Sequence, residues 1–233
     1  SSCLRAGRAR TWSFRRETPT APVCRPLTLA YWPPGRRGCD GVEWSSFDSM
    51  TERITYVLVD GENVDATLGT SILMRRPASE ERPRWERLLG FAETTWSQPA
   101  RGLFFLAANT DLPMPFVQAL LAIGYRVIPL RGAPGEKVVD IAIKRTLEEI
   151  GRRSGDVILV SNDGDFIPQL SDLCSTRQIG IIGFTEFRNH GLTALSQHGV
   201  QLFDLEYDVH AFNSRLPRVR IIPIEEFDPA AFL

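Results

Sequence analysis

The sequence predicts an α/β protein, a three-layer α/β/α sandwich built round a central, mostly parallel sheet. Short apolar runs rich in Val, Ile and Leu recur at 54–59, 102–107, 125–130, 157–161, 180–184 and 200–205, with longer, partly amphipathic stretches between them. The clearest runs are apolar at successive positions rather than alternating, as in strands covered on both faces. The stretches between them are long enough to cross over a sheet, which parallel neighbours require.

Residues 54–59 (I-T-Y-V-L-V) are β-branched, end at Asp60-Gly61, and read as a central strand. Residues 80–95 read as a helix with Pro83 in its first turn and Trp85, Leu88, Leu89 and Ala92 on one face. A second strand is expected at 102–107. A helix at 115–123 stops at Gly124, and a third strand follows at 125–130. Residues 139–153 form an amphipathic helix, with Ile141, Ile143, Leu147 and Ile150 against Glu148, Glu149, Arg152 and Arg153. Strand 157–161, helix 166–177, strand 180–184, a helix near 190–197 and strand 200–205 complete the alternation. The stretch 218–224 (R-V-R-I-I-P-I) reads as an edge strand.

The 233 residues suffice for one large domain or two small ones, and 43% hydrophobic with 24% charged residues suits a globular protein. No apolar run approaches the roughly 20 residues of a membrane span. Charge is uneven: residues 1–50 hold eight Arg, no Lys and four acids, whereas the remainder holds 19 basic and 24 acidic residues. A mildly acidic domain has no general attraction for nucleic acid, so any RNA binding must rest on a local basic surface or a bound cation. Residues 1–50 lack any period and carry five Pro, so a disordered basic extension is expected there, with the protein's own start at Met50. The expected domain covers 51–210, and 211–233 is expected to pack on it as a strand or tail. Phe227, Phe232 and Leu233 are its candidate contacts for a homodimer. Of the four Cys only Cys174 lies in the compact part, in an apolar stretch that suits a core thiol, and a reducing cytoplasm is the expected compartment.

Acids stand where strands end. Asp60 closes the first strand, Asp163 and Asp165 close the fourth (V-I-L-V-S-N-D-G-D-F-I, 157–167), and Asp140 opens the mid-chain helix. Each has an ordinary explanation: a turn at Asp60-Gly61, a helix cap at Asp163 or Asp165, a dipole contact at Asp140. Together they do not. Two unit charges 4 Å apart repel by about 4 kcal/mol at an effective dielectric near 20. A divalent cation removes that conflict, and an all-oxygen donor set suits Mg²⁺ or Mn²⁺ rather than Zn²⁺. Asn63, one turn after Asp60, is placed to hold a water or a phosphate oxygen, or to serve as a turn or cap. Arg75, Arg76, Arg82, Arg84 and Arg87, with Arg131 and Lys137, are candidates for a phosphate groove or for plain solvated faces. Neither a G-x-x-x-x-G-K-[ST] loop nor a G-x-G-x-x-G turn is present, which argues against a nucleotide-binding enzyme.

The three motifs V-D-G-E-N-V (59–64), K-V-V-D-I-A-I (137–143) and L-V-S-N-D-G-D-F-I-P (159–168), in this order, resemble the NYN domain, a LabA-like branch of the PIN-like nuclease superfamily. The resemblance spans roughly residues 54–205. It implies a PIN-like α/β/α fold and metal-dependent cleavage of RNA, with Asp60, Asp140, Asp163 and Asp165 holding Mg²⁺ or Mn²⁺. It also implies that Asn63 and Ser161 position water or phosphate. A further acid, common two turns into the mid-chain helix of such proteins, is missing from Ile143-Lys144-Arg145-Thr146. Lys144, at i+4 from Asp140, is expected either to pair with that acid or to approach a substrate phosphate. Glu62 is a substitute for the missing acid. The alternative is an inactive NYN domain that binds RNA or a protein.

Overall fold

A computed structural model of the chain describes residues 53–109, 112–219, 222 and 224–232. The expectations for residues 1–50, the start at Met50 included, lie outside the described residues.

Six strands form one parallel sheet: β1 (Thr55–Asp60), β2 (Ala100–Ala107), β3 (Arg126–Leu130), β4 (Asp156–Val160), β5 (Ile179–Gly183) and β6 (Gln201–Asp204), in the order β3-β2-β1-β4-β5-β6. All five pairings are parallel, so the sheet is more uniform than the mostly parallel one expected. The helices are α1 (Gly61–Ala66), α2 (Trp85–Trp96), α3 (Met114–Ala122), α4 (Val138–Ile150), α5 (Ile167–Leu173) and α6 (His190–Ala194).

The pleat of the central strands sorts the core into two layers. Val57, Val59, Ile158, Val160 and Ile182 face one side, where they meet Leu88 and Ala92 of α2 and Leu120 of α3. Leu58, Val157, Leu159 and Ile181 face the other, against Ile143 and Leu147 of α4 and Leu170 of α5. That is the three-layer sandwich. Helix α4 follows from spacing: Val139, Ile143, Leu147 and Ile150 are buried at steps of four, four and three, the stripe of an amphipathic helix. Truncating Leu159, fully buried in the second layer, to Ala would cost about 2–5 kcal/mol.

Several elements differ from expectation. The helix expected from 80 begins only at Trp85; residues 79–81 form a 3-10 turn, and Arg82, forced out of the α region by Pro83, is extended at ψ 156°. Helix α1, continued by a π-helical turn over Thr67–Ile72, had no strong period to announce it. The helix expected at 166–177 is shorter, a 3-10 turn at Gly164–Phe166 leading into α5. At the expected edge strand of 218–224, residues 218, 219 and 222 are not in a strand, and a 3-10 turn begins at Ile224. Arg218 instead turns its guanidinium to Asp204 and Glu206. Of the expected dimer contacts, Phe227 is 49% exposed. The side chain of Phe232 and all of Leu233 are outside what is described.

The strand order reverses beside β1: the chain leaves β1 for β2 on one side and returns to β4 on the other. In open parallel sheets such a switch point leaves a crevice beyond the carboxyl ends of the two strands, where ligands bind. Asp60 ends β1 there, and Ser161, Asn162 and Asp163 follow β4.

Candidate metal centre

Asp60 is 3% exposed at the tip of β1. Its Oδ1 accepts the amide of Asn63 at 3.1 Å, which makes it the N-cap of α1, and its Oδ2 accepts the hydroxyl of Ser161 at 3.1 Å. Burial, reinforced by the charges of Asp140 and Glu62, pushes its carboxyl up to about 6, against the pull of those two bonds. Gly61 is required beside it: a Cβ there would lie 2.4 Å from the ring of Phe104. The chain can therefore leave β1 tightly under that ring and turn at once into α1.

Ser161, fully buried, joins the two strand ends. Its Oγ donates to Asp60 and accepts the amide of Asp163 at 3.2 Å. Asp163 in turn accepts the amide of Asp165 at 3.0 Å and caps the 3-10 turn. The cap explanation is thus correct for Asp163 and does not extend to Asp165. Gly164 lets this turn form against Asn189, whose side-chain carbon a Cβ would approach to 2.7 Å.

Helix α4 brings Asp140 to the same place, in its first turn, where the positive end of the helix dipole favours a carboxylate. One oxygen each from Asp140, Asp163 and Asp165 lies within 4.8 Å of the others. Asp140 and Asp163 are half-buried and Asp165 is exposed. Asp60 is not a member of this triad. It stands behind it, linked to Asp163 through Ser161 and close enough to feel the charge of Asp140.

The donor set fits a hard divalent ion: three carboxylates, with neither His nor Cys in the group. A cation already stands among them. The ammonium of Lys137 is 3.3 Å from Asp140 Oδ2 and 3.3 Å from Asp165 Oδ2. Lys144 does not pair with Asp140; its ammonium lies 3.8 Å from Asp165 Oδ2 and 6.0 Å from the ring centre of Phe166. Glu62 does not take the place of the missing helix acid. Its carboxylate accepts the amide of Ala107, at the end of β2, at 3.0 Å.

Asn63 turns inward. Its Oδ1 accepts the amide of Asn162 at 2.9 Å and the Asn162 side-chain amide at 3.3 Å. Asn162 was not singled out from the sequence, yet it is 5% exposed and ties together four segments. Besides Asn63 it reaches Thr67 at 3.3 Å, the amide of Phe184 at 2.8 Å and, through its carbonyl, the amide of Asn189 at 3.0 Å. Its signal was positional: an amide side chain directly after a buried strand has no water to satisfy it.

The expected arginine groove is largely spent on internal bonds. Arg75 is bound to Glu81 at 2.7 Å and 2.5 Å, Arg82 to Asp65 at 2.8 Å, and Arg87 to the carbonyls of His210 and Phe212 at 2.8 Å and 3.0 Å. Arg76 and Arg84 make no side-chain ion pair among the described residues. A cleft of about 720 Å³ is lined by Glu62, Asp65, Thr70, Met74, Arg75 and Arg76, and no acid of the triad lines it. Cys174 is half-buried; its thiol donates to the carbonyl of Leu170 at 3.1 Å, and burial pushes its pKa up, as for an inert core thiol. No helix among the described residues is long and apolar enough to cross a membrane.

No family model and no curated protein matches the sequence. Among solved structures, the chain is similar to a protein of unknown function from Vibrio parahaemolyticus, with a TM-score of 0.52 and 19% identity over 67% of this chain and 95% of that one. At that identity the likeness speaks for the fold alone, and the fold is an α/β/α sandwich on a parallel sheet.

Proposed function

We propose that this chain is a metal-dependent ribonuclease that hydrolyses phosphodiester bonds of RNA at the carboxyl edge of β1 and β4. The observation that carries the reading is the convergence of Asp140, Asp163 and Asp165 within 4.8 Å at the switch point of the sheet. The resemblance of the three motifs to the NYN domain supports it, and so does the absence of soft ligands from the group. A cytoplasmic location belongs to the same reading.

Asp140, Asp163 and Asp165 would hold Mg²⁺ or Mn²⁺. When bound, such an ion supplies an activated water and offsets negative charge on the phosphoryl oxygens. The chain contributes positioning. Ser161 accepts the amide of Asp163 and donates to Asp60, while the Asp163 carboxylate accepts the amide of Asp165, which orients it. Asp60 holds Ser161 in turn, and keeps its own proton to a higher pH than an ordinary carboxyl. Lys144, on the rim of the triad, places one positive charge where a substrate phosphate would lie. The side-chain nitrogen of Asn63 has no acceptor among the described residues and faces the same task.

The test is cleavage of an end-labelled single-stranded RNA with Mg²⁺, with Mn²⁺ and with chelator, by the unmodified chain and by Asp163→Asn. Cleavage should need the metal and fall by more than about a hundredfold in the variant. Equal cleavage by both proteins would place the activity elsewhere. A second reading, an inactive RNA-binding module, is favoured by one observation: Lys137 and Lys144 already oppose the charge of Asp165. RNA retained in a gel shift, without cleavage under any metal, would establish that reading instead.

A further inference from the structure

Lys137 belongs to the loop that leads into α4, not to the rigid scaffold. The loop (R-G-A-P-G-E-K, 131–137) contains two Gly and a Pro. It is braced by its own bonds, from the amide of Ala133 to the Glu136 carboxylate at 2.8 Å and from the amide of Val138 to the Glu136 carbonyl at 2.9 Å. From there the Lys137 side chain reaches over the triad. It is 69% exposed, and the only side-chain partners described for it are Asp140 and Asp165, each at 3.3 Å.

Two features set this lysine apart from an ordinary surface ion pair. It contacts two carboxylates at once, and both belong to the group of three whose oxygens converge. Its ammonium is thus held by two of the three carboxylates that a shared divalent ion would use. An exposed lysine is also a weak holder, because water screens each contact and the long side chain loses rotamer freedom. A doubly charged ion competes well against it, and the flexible stem lets the ammonium move aside while staying at the rim.

We infer that Lys137 is an internal competitor of the metal: its ammonium bridges Asp140 and Asp165 in the metal-free chain and leaves them when a divalent ion binds. This rests on the metal site of the proposed function. The lysine raises the ion concentration at which the site loads, in proportion to the time the ammonium spends on the two acids. Once displaced, the ammonium stands beside Lys144 and is free to meet a substrate phosphate.

The trial is direct Mn²⁺ binding, by calorimetry and by the paramagnetic resonance of free Mn²⁺, to the unmodified chain, Lys137→Met, Lys137→Gln and Asp163→Asn. Both lysine variants should bind Mn²⁺ about tenfold more tightly than the unmodified chain. Their unfolding midpoints in chelator should stay close to its own, since the side chain is exposed. Asp163→Asn should lose binding. Mn²⁺ affinity that is unchanged or weaker in both lysine variants would overturn the competitor role and leave the metal site standing. No Mn²⁺ binding by any of the four proteins would overturn both.

Discussion

Near the end of β6, Asp204, Glu186 and Glu206 close round one guanidinium; in the triad beyond β1 and β4, Lys137 and Lys144 are the cations described, reaching Asp140 and Asp165, while Asp163 has no ion pair among the described residues. Both groups sit beyond the carboxyl edge of one sheet. The first is finished. The Arg218 side chain is 1% exposed, donates to Asp204 at 2.9 Å and 2.7 Å, to Glu206 at 2.9 Å and to Glu186, and lies over the rings of Phe184 at 5.1 Å and Tyr207 at 4.9 Å. Asp204 also accepts the amide and hydroxyl of Thr185 and the amides of Glu206 and Tyr207. Burial pushes its carboxyl up, but these bonds, from Arg218 above all, win and hold it well below the usual carboxylate range. The second group has no such partner, and the buried acid behind it, Asp60, moves the other way. The cluster at Arg218 is completed by a buried cation of the chain, whereas the lysines at the triad are exposed or partly so, as the proposed metal site requires.

The largest expected effect breaks the finished cluster. Arg218→Met should destabilise the protein by about 3–5 kcal/mol, because Asp204 and Glu206 would remain buried without their counter-charge. Urea unfolding at neutral pH measures it, and a loss below about 1 kcal/mol would mean that water replaces the guanidinium at little cost.

Next comes the pH slope that Asp60 supplies. Burial raises its folded pKa to about 6, above the ordinary aspartate range near 4, so the folded state holds the proton more tightly than the unfolded state does. Its contribution is therefore present below about pH 4 and is lost as pH rises through about 6. At 1.36 kcal/mol per pKa unit this amounts to roughly 3 kcal/mol. In chelator, the unmodified chain should lose that stability relative to Asp60→Asn between pH 4 and pH 7. Parallel pH profiles for the two proteins would remove Asp60 as the source.

A slightly smaller effect sharpens the same contrast. Mn²⁺ at a hundred times its dissociation constant should stabilise the unmodified chain by about 2.7 kcal/mol. Asp140→Asn should erase most of this gain while leaving the Arg218 cluster untouched. Thermal unfolding with and without the ion reads it, and an undiminished gain in the variant would move the ion elsewhere. The smallest effect is a control. Glu149 is paired with Arg153 at 2.7 Å on the exposed face of α4, with both side chains largely in water. Glu149→Gln should change stability by less than about 0.5 kcal/mol, since an exposed pair neither desolvates nor holds one geometry.

Much of this was legible from residue order. The run 157–161 followed by S-N-D-G-D located β4 and the acids after it, because an apolar run needs no tertiary information to be read as a buried strand. The apolar positions Ile143, Leu147 and Ile150 did the same for α4 and put Asp140 at its start, although Val139 rather than Ile141, which is half-buried, completes the buried stripe. The errors fall where partners are distant. Ser161 and Asp60 are 101 positions apart, and Asn162 and Asn63 are 99 apart. No local pattern says that two such side chains share a hydrogen bond. Arg218 lies in a β-branched stretch that reads as a strand, and only the tertiary structure shows its guanidinium turned to Asp204 and Glu206. The arginines near α2 read as a phosphate groove because charge is visible in sequence and pairing is not.

What the order of residues determined alone is the alternation of strands and helices and the presence of an acid at each critical boundary, since both depend on contacts a few positions long. What the tertiary structure decided is the strand order β3-β2-β1-β4-β5-β6, which makes β1 and β4 neighbours and sets Asp140, Asp163 and Asp165 around one point with Asp60 behind them. It also decided that a lysine from a glycine-rich loop reaches that point. The physical reason is range. Propensity and periodicity act along the chain, whereas burial, charge and hydrogen bonding at the site act through space between segments that only the packed sheet brings together.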